Sequence, residues 1–347
     1  MLQSNRIDKQ GLRALLFFAL LLIGCLMLTA CGAPPARNLP SVSASAETEP
    51  VIQDPGANDD AADDAVILAD GDRALIIGTN KRRGIELYTL DGARINALDE
   101  GALNNVDARS LGSGRFQVAA GNRSLNTLDI FDVNLADYQI SLTLRAPVTL
   151  QEPYGLCASQ DLIFVNDKTG LVQSWDWSGQ GPVHSIQLSS QTEGCVYDPI
   201  GQRLYVGEEN VGIWRINLAT SEVEPFALIG DGVLAADVEG LTIYRRGDEA
   251  LLVASSQGDH TYVIYDIATA APRLKFTITD SEDGALDGTE DTDGITAFAG
   301  ALPGYPEGIL VAQDGTNRTA AGEAASQNFK IVSWQRIAGL LAAAETN

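Results

Sequence analysis

Three cations stand out in a chain that is poor in them: Lys81, Arg123 and Lys168 recur at spacings of 42 and 45 residues, with Arg82 beside the first. Each follows a short β-rich run that ends in a polar turn. At the same place in the next three repeats stand Glu208 and Glu209, then Gln257, then Asp314. Further carboxylates, Glu193, Asp237, Glu239, Asp287, Asp291 and Asp293, fall in the same half of the chain. If these turns share one mouth, half of its rim is cationic and half is carboxylate, which suits a phosphorylated ligand bridged to hard cations. A phosphate about 4 Å from a bare carboxylate is repelled by about 4 kcal/mol at an effective dielectric near 20, so the acids cannot hold it alone. Metal ions reverse that sign. Oxygen donors without His or Cys favour Ca²⁺ or Mg²⁺ over Zn²⁺. Such an ion polarises a phosphoryl oxygen and lowers the pKa of a bound water, so that no side-chain nucleophile is needed. Any single acid in so acidic a chain is explained as a solvated surface charge; three cations at one repeat position are not.

The elements that must bring these turns together are short strands. Runs rich in β-branched and apolar residues recur from Val66 to Trp334 between Gly, Asp and Asn turns, and no helical period persists until Trp334 to Ala338. One signature strand begins at Asp64, Val106, Tyr154-Gly155, Glu193-Gly194, Glu239-Gly240 and Asp293-Gly294. A second, more apolar one spans 74–81, 116–123, 162–168, 204–210, 251–258 and 309–315, and a third follows each of these. Three strands and a looser fourth, repeated six times at roughly 40 to 55 residues, are the content of a propeller blade. The expectation is an all-β protein, a six-bladed β-propeller; a β-sandwich is the alternative, but it does not account for six like-ordered repeats. The last repeat lacks a fourth strand after Trp334, and Glu47 to Gln53 is expected to supply it.

Composition narrows the function classes. The 347 residues carry 23 Lys+Arg against 46 Asp+Glu, a formal charge of −23, which argues against a nucleic-acid partner. Hydrophobic residues at 45% with 34 glycines indicate a turn-rich globular body, not a coiled coil or a disordered chain. Two histidines and two methionines leave little for a redox metal, and His184 and His260 are expected at the surface or rim.

At the N-terminus, Arg6, Lys9 and Arg13 precede an apolar run from Ala14 to Ala30 that has the form of a secretory signal, expected over 1–30. Leu28-Thr29-Ala30-Cys31 resembles a bacterial lipobox, which implies cleavage before Cys31 and lipidation of its thiol. Cleavage before Cys25 is a rival, and an uncleaved single-pass anchor is another, although a run of 17 residues is at the short limit for spanning. Two or more acyl chains anchor stably where one does not. A tether over 31–46 and a propeller over 47–347 are expected to follow, with the protein exported, lipid-anchored and monomeric. Gly32 after Cys31 is not the Asp that commonly retains lipoproteins at an inner membrane, so an outer membrane is favoured where the cell has one.

Cys157 lies two residues past the glycine of its strand and Cys195 one past, in successive repeats. Side chains alternate along a strand, so the two point to opposite faces of their blades, and adjacent blades pack face to face. A blade-to-blade disulfide is the expectation in an exported protein, with two buried thiols as the alternative.

Taken together, these strings resemble the β-propeller phytases, the calcium-dependent alkaline class, over roughly Glu47 to Ala338. The resemblance is carried by Thr79-Asn80-Lys81, Leu103-Asn104-Asn105-Val106-Asp107, Asn122-Arg123-Ser124, Tyr154-Gly155, Ser190-Gln191-Thr192-Glu193-Gly194, Asp237-Val238-Glu239-Gly240-Leu241-Thr242-Ile243-Tyr244, Asp291-Thr292-Asp293-Gly294 and Gln327-Asn328-Phe329-Lys330. It implies hydrolysis of phytate and lower inositol phosphates, of the 3-phytase type, through bridging Ca²⁺ ions and a metal-bound water. It implies phosphate binding by Lys81, Arg82, Arg123, Tyr154 and Lys168, and calcium ligation by Asp64, Glu193, Glu209, Asp237, Glu239, Gln257 and Asp293. Glu193, Asp237 and Glu239 count with the phosphate binders as the catalytic set, and Asp287 and Asp314 belong to further calcium sites. The first repeat departs from the family pattern: Asp63-Asp64-Ala65-Val66-Ile67-Leu68 stands where the family has Asp-Asp-Pro-Ala-Ile-Trp, and Lys81-Arg82-Arg83 where it has paired lysines.

Two other readings remain at this level, a metal-dependent lactonase or esterase and a non-catalytic calcium-binding module. The cationic trio speaks against the first, because a neutral lactone has no use for it.

Overall fold

The computed structural model describes residues 39–54 and 60–346. The signal segment, Cys25, Cys31 and the tether as far as residue 38 lie outside the described residues. From Pro40 onward the chain is one body.

Its strands form six sheets that follow one another along the chain. Blade 1 holds β3 (Ala62–Asp70), β4 (Arg73–Asn80), β5 (Gly84–Tyr88) and β6 (Arg94–Asp99). Blade 2 holds β7 (Leu103–Gly112), β8 (Arg115–Asn122), β9 (Thr127–Asn134) and β10 (Gln139–Pro147). Blade 3 is β11 (Gly155–Ala158), β12 (Leu162–Asn166), β13 (Leu171–Asp176) and β14 (His184–Gln187). Blade 4 is β15 (Thr192–Asp198), β16 (Arg203–Glu208), β17 (Gly212–Asn217) and β18 (Glu222–Leu228). Blade 5 is β19 (Val238–Arg246), β20 (Glu249–Ser256), β21 (Thr261–Asp266) and β22 (Pro272–Thr279); blade 6 has β23 (Ile295–Phe298), β24 (Ile309–Asp314) and β25 (Asn328–Ser333). The first strand of each blade touches the first strand of the next, and β23 returns to β3, so the ring closes as a six-bladed β-propeller.

Period-2 alternation explains why the second strands are apolar almost throughout. Leu75 and Ile77 of β4 pack into the seam with blade 2, whereas Ile76 between them packs into the seam with blade 6. Leu251 and Val253 of β20 face blade 6, and Leu252 and Ala254 face blade 4. A strand buried on both faces needs apolar residues at every position, and hydrophobic clusters fill each seam around the ring.

The missing strand of blade 6 comes from the N-terminal segment. Here β2 (Ala46–Glu47) pairs antiparallel with β25, and backbone bonds run from Ser45 to Ile331 O (2.7 Å) through Val51 to Gln327 O (2.9 Å). This is the expected closure, shifted about two residues toward the N-terminus. The tether boundary at residue 46 needs correction: β1 (Ser41–Ser43) adds a fifth, parallel strand to the edge of blade 5. Ser-Val-Ser-Ala-Ser has too little apolar surface to announce a strand, yet Val42 and Ala44 are buried. After β25, helix α1 (Trp334–Glu345) buries Trp334, Ile337 and Leu341, with the Trp334 ring stacked on Tyr244 at 3.6 Å. Cys157 of β11 and Cys195 of β15 are joined as a disulfide across the seam of blades 3 and 4, with Cα atoms 5.5 Å apart. No helix among the described residues is long and apolar enough to cross a membrane.

Candidate active site

The turns after the second strands and the starts of the first strands converge on a cleft of about 810 Å³. Lys81, Arg123, Tyr154 and Lys168 line it from blades 1 to 3, and Glu193, Glu209, Asp237, Glu239, Gln257, Asp291 and Asp293 from the other half of the ring. The sorting by charge along the sequence is therefore a sorting across one cavity.

Local backbone geometry aims these side chains. In four blades the first strand carries a bulge, with two residues opposite one on the partner: Asp63 and Asp64 between Ala62 and Ala65, Asn104 and Asn105 between Leu103 and Val106, Glu193 and Gly194 between Thr192 and Cys195, and Glu239 and Gly240 between Val238 and Leu241. A bulge breaks the strict alternation and re-aims neighbouring side chains, as it commonly does beside active sites. The repeated glycine has a separate cause. A Cβ on Gly155 would lie 2.0 Å from the Glu193 carbonyl oxygen, and one on Gly194 would lie 2.0 Å from that of Glu239. Only glycine lets each acid-bearing strand press against its neighbour this closely.

On the cationic side, Lys81 Nζ sits 2.7 Å from Asp60, 2.7 Å from Asp293 and 3.5 Å from Asp63. Burial pulls its pKa down, but Asp63, Asp293 and Asp60 outweigh this and raise it, so the ammonium stays charged. Arg123 Nη1 donates to Asn104 Oδ1 at 3.2 Å. Arg123 and Lys168 lie over the Tyr154 ring at 5.5 and 4.3 Å from its centroid. Burial, together with Glu193, Glu239 and Glu209, raises the Tyr154 phenol well above its ordinary pKa, so it remains a proton donor.

Across the cleft, one oxygen from each of Glu193, Glu209 and Glu239 lies within 4.8 Å of the others. Like charges at that separation repel by several kcal/mol unless a cation sits between them. Burial and Glu193 push Glu209 up to about 7, and the same two causes raise Glu239 well above the carboxylate range. Asp293 is raised to about 7 by burial, even with Lys81 pulling the other way. Both carboxylate oxygens of Asp63 and Oε2 of Glu239 are buried without a hydrogen bond. Buried oxygens left so are expensive, and a cation would satisfy them. The donor set is oxygen throughout, which fits a hard divalent ion.

Five expected residues do not line the cleft. Glu208 turns its carboxylate to the Ser189 and Ser190 hydroxyls and to Trp214 Nε1 at 2.6 Å. Arg82 is exposed and turns its Nε to the carbonyl oxygen of Asp60 at 3.2 Å. Of the Asp63–Asp64 pair, Asp63 lines the cleft; Asp64 Oδ2 instead accepts from the Val106 N–H at 3.2 Å, and burial raises its carboxyl to about 8. Asp287 and Asp314 gather with Glu47 on the fully buried Lys330, whose Nζ bonds Glu47 and Asp287, reaches Asn317 Oδ1 at 3.0 Å and lies 3.3 Å from Asp314. Their charge is thus met by an ammonium group brought from another strand. His260 sits at the rim, its Nδ1 accepting from the Asp291 N–H at 3.1 Å. Among residues that composition and spacing had not singled out, Asp60, Asp63, Gln191 and Arg318 line the cleft; Asp63 was signalled only by its place in the Asp-Asp pair.

A family model described as Phytase matches residues 13–345 of this chain. A 3-phytase of Bacillus subtilis (strain 168) is 37% identical over 331 residues, covering 86% of this chain and 84% of that protein. These likenesses favour the phosphatase reading over the lactonase and binding-module ones. With a six-bladed ring, a divided cleft and a match over nearly its full length, the chain belongs to the phytase family of phosphate-ester hydrolases.

Proposed function

We propose that this phytase acts on phytate and lower inositol phosphates in a calcium-dependent reaction, with the substrate held across the divided cleft. The observation that carries the reading is the facing of Lys81, Arg123 and Lys168 against the Glu193, Glu209 and Glu239 cluster within one cavity. Lys81, Arg123 and Lys168 neutralise phosphate oxygens, and the Tyr154 hydroxyl, kept protonated, donates to one of them. Asp63, Glu193, Glu209, Asp237, Glu239, Gln257 and Asp293 would hold the ions, with Asp64 behind them. Bound there, Ca²⁺ supplies charge neutralisation at the phosphoryl group and acidifies water in its shell. A cleft of about 810 Å³ has room for a ring with several phosphates, one anchored by the cations while its neighbour lies at the carboxylate side.

Arg82 belongs to the rim, where it meets outer phosphates of the substrate. Asp287 and Asp314 serve stability through Lys330. The signal at 1–30 and the thiol of Cys31 make this an exported, lipid-anchored envelope protein that works as a monomer.

The test is phosphate release from phytate by a protein beginning at Leu39, with excess Ca²⁺, after chelation, and after Ca²⁺ is restored. Release that disappears on chelation and returns with Ca²⁺ is expected. Release indifferent to chelation would overturn the metal role. Labelling of the full chain with an acyl donor, abolished in Cys31→Ser, tests the anchor.

A further inference from the structure

Glu152 lies in the connection between β10 and β11, which joins blades 2 and 3. Its Oε1 accepts from Arg123 Nε at 2.6 Å, and its Oε2 lies 3.4 Å from Lys168 Nζ. One carboxylate therefore grips two cations carried by different blades. Arg123, Lys168 and Tyr154 line the cleft, whereas Glu152 does not, so the grip comes from the side away from the substrate. The atom engaged on Arg123 is Nε, and the Nη fork stays on the cleft side, where Nη1 meets Asn104.

We propose that Glu152 is a positioning residue that braces Arg123 and Lys168 for phosphate and keeps them off the carboxylate half of the cleft, an inference that rests on the phosphate-binding reading above. Two like charges over one aromatic face repel each other, and a flexible lysine beside several carboxylates has a ready alternative partner. Released from Glu152, Lys168 would swing toward Glu209 and occupy the place of a divalent ion. The brace thus serves substrate binding and cation binding together.

The test compares Glu152→Gln, Glu152→Asp, Arg123→Gln and Lys168→Gln in the full chain at several Ca²⁺ concentrations. Its readouts are KM for phytate, Ki for inorganic phosphate, kcat and the Ca²⁺ midpoint of a thermal shift. Glu152→Gln is expected to raise KM and Ki about tenfold, the worth of one charge-assisted hydrogen bond. It should also raise the Ca²⁺ midpoint severalfold and leave kcat within about threefold at saturating substrate and Ca²⁺. Glu152→Asp should recover part of the loss, which a merely structural role would not produce selectively in KM and Ki. A fall in KM and Ki would mean that Glu152 competes with phosphate, and would overturn the brace. Unchanged values with Glu152→Gln, while Arg123→Gln and Lys168→Gln raise them, would overturn the brace alone. Unchanged values in all the variants would overturn the phosphate-binding reading and the brace with it.

Discussion

Chelating the protein and raising the pH should destabilise it, in a window set by the buried acids in and just behind the cleft. Asp64 is raised by burial from 3.8 to about 8. A carboxyl whose pKa is higher in the folded state binds a proton that the unfolded chain has already lost, so stability falls as pH rises between the two values. The slope approaches about 1.4 kcal/mol per pH unit and flattens near the folded pKa, so Asp64 alone removes ~2.3 kcal/mol between pH 6 and pH 8. Asp293 and Glu209, each raised to about 7, add to the lower half of that window with the same sign. Ordinary carboxylates are fully ionised there. Urea unfolding in chelator at pH 6 and pH 8 should show a loss of at least ~3 kcal/mol, or about 5 °C or more in Tm for a domain of this size. With saturating Ca²⁺ the loss should vanish, because the ion replaces the protons and stabilises by about 2.7 kcal/mol at a hundred times its Kd. A chelated protein equally stable at both pH values would refute the picture of carboxylates crowded without a partner.

Three further outcomes follow from the same geometry. Gly194→Ala puts a Cβ 2.0 Å from the Glu239 carbonyl oxygen, so about 3 kcal/mol of stability should be lost together with Ca²⁺ affinity, read by urea unfolding and a Ca²⁺ titration; a neutral variant would show that the blades can part without harm. Lys330→Met strands Asp287, Asp314 and Glu47 without their ammonium and should cost about 3 to 5 kcal/mol at pH 8. The cost should shrink at pH 5, because burial raises Asp314 to about 6 and protonation then removes its charge. Reducing the Cys157–Cys195 bridge, which closes a separation of 38 residues, should lower stability by roughly 3 to 4 kcal/mol in denaturant titrations, with the far-UV circular dichroism spectrum of the folded state unchanged.

Much of this protein could be read from residue order alone, because the signals are local. Period-2 alternation and polar turns mark the strands of six repeats, and a one-residue difference in offset from the strand glycine puts Cys157 and Cys195 on facing sides of one seam. The segregation of Lys81, Arg123 and Lys168 from the later carboxylates already implied a divided rim, since equivalent turns of a ring must meet at one mouth. The strand lent by the N-terminus was legible as an unpaired edge in the last blade.

Other features depended on backbones far apart in the chain. Which of Asp63 and Asp64 faces the cleft is set by a bulge, and a bulge has no consistent composition. That Asp287 and Asp314 surround Lys330 follows from β25, which carries Lys330 between β24 and β2, and Glu47 of β2 completes the set from 283 residues away. Ser41–Ser43 pairs only because the edge of blade 5 is exposed to receive it. Glu152 is one surface acid among 46 Asp and Glu until the fold brings it against two cations of different blades. Sequence alone determined the ring and the sign of charge at each turn, since strand period and turn chemistry act over a few residues. Tertiary structure decided which charges meet, because Coulomb energy and desolvation depend on distances across the ring that no local pattern encodes.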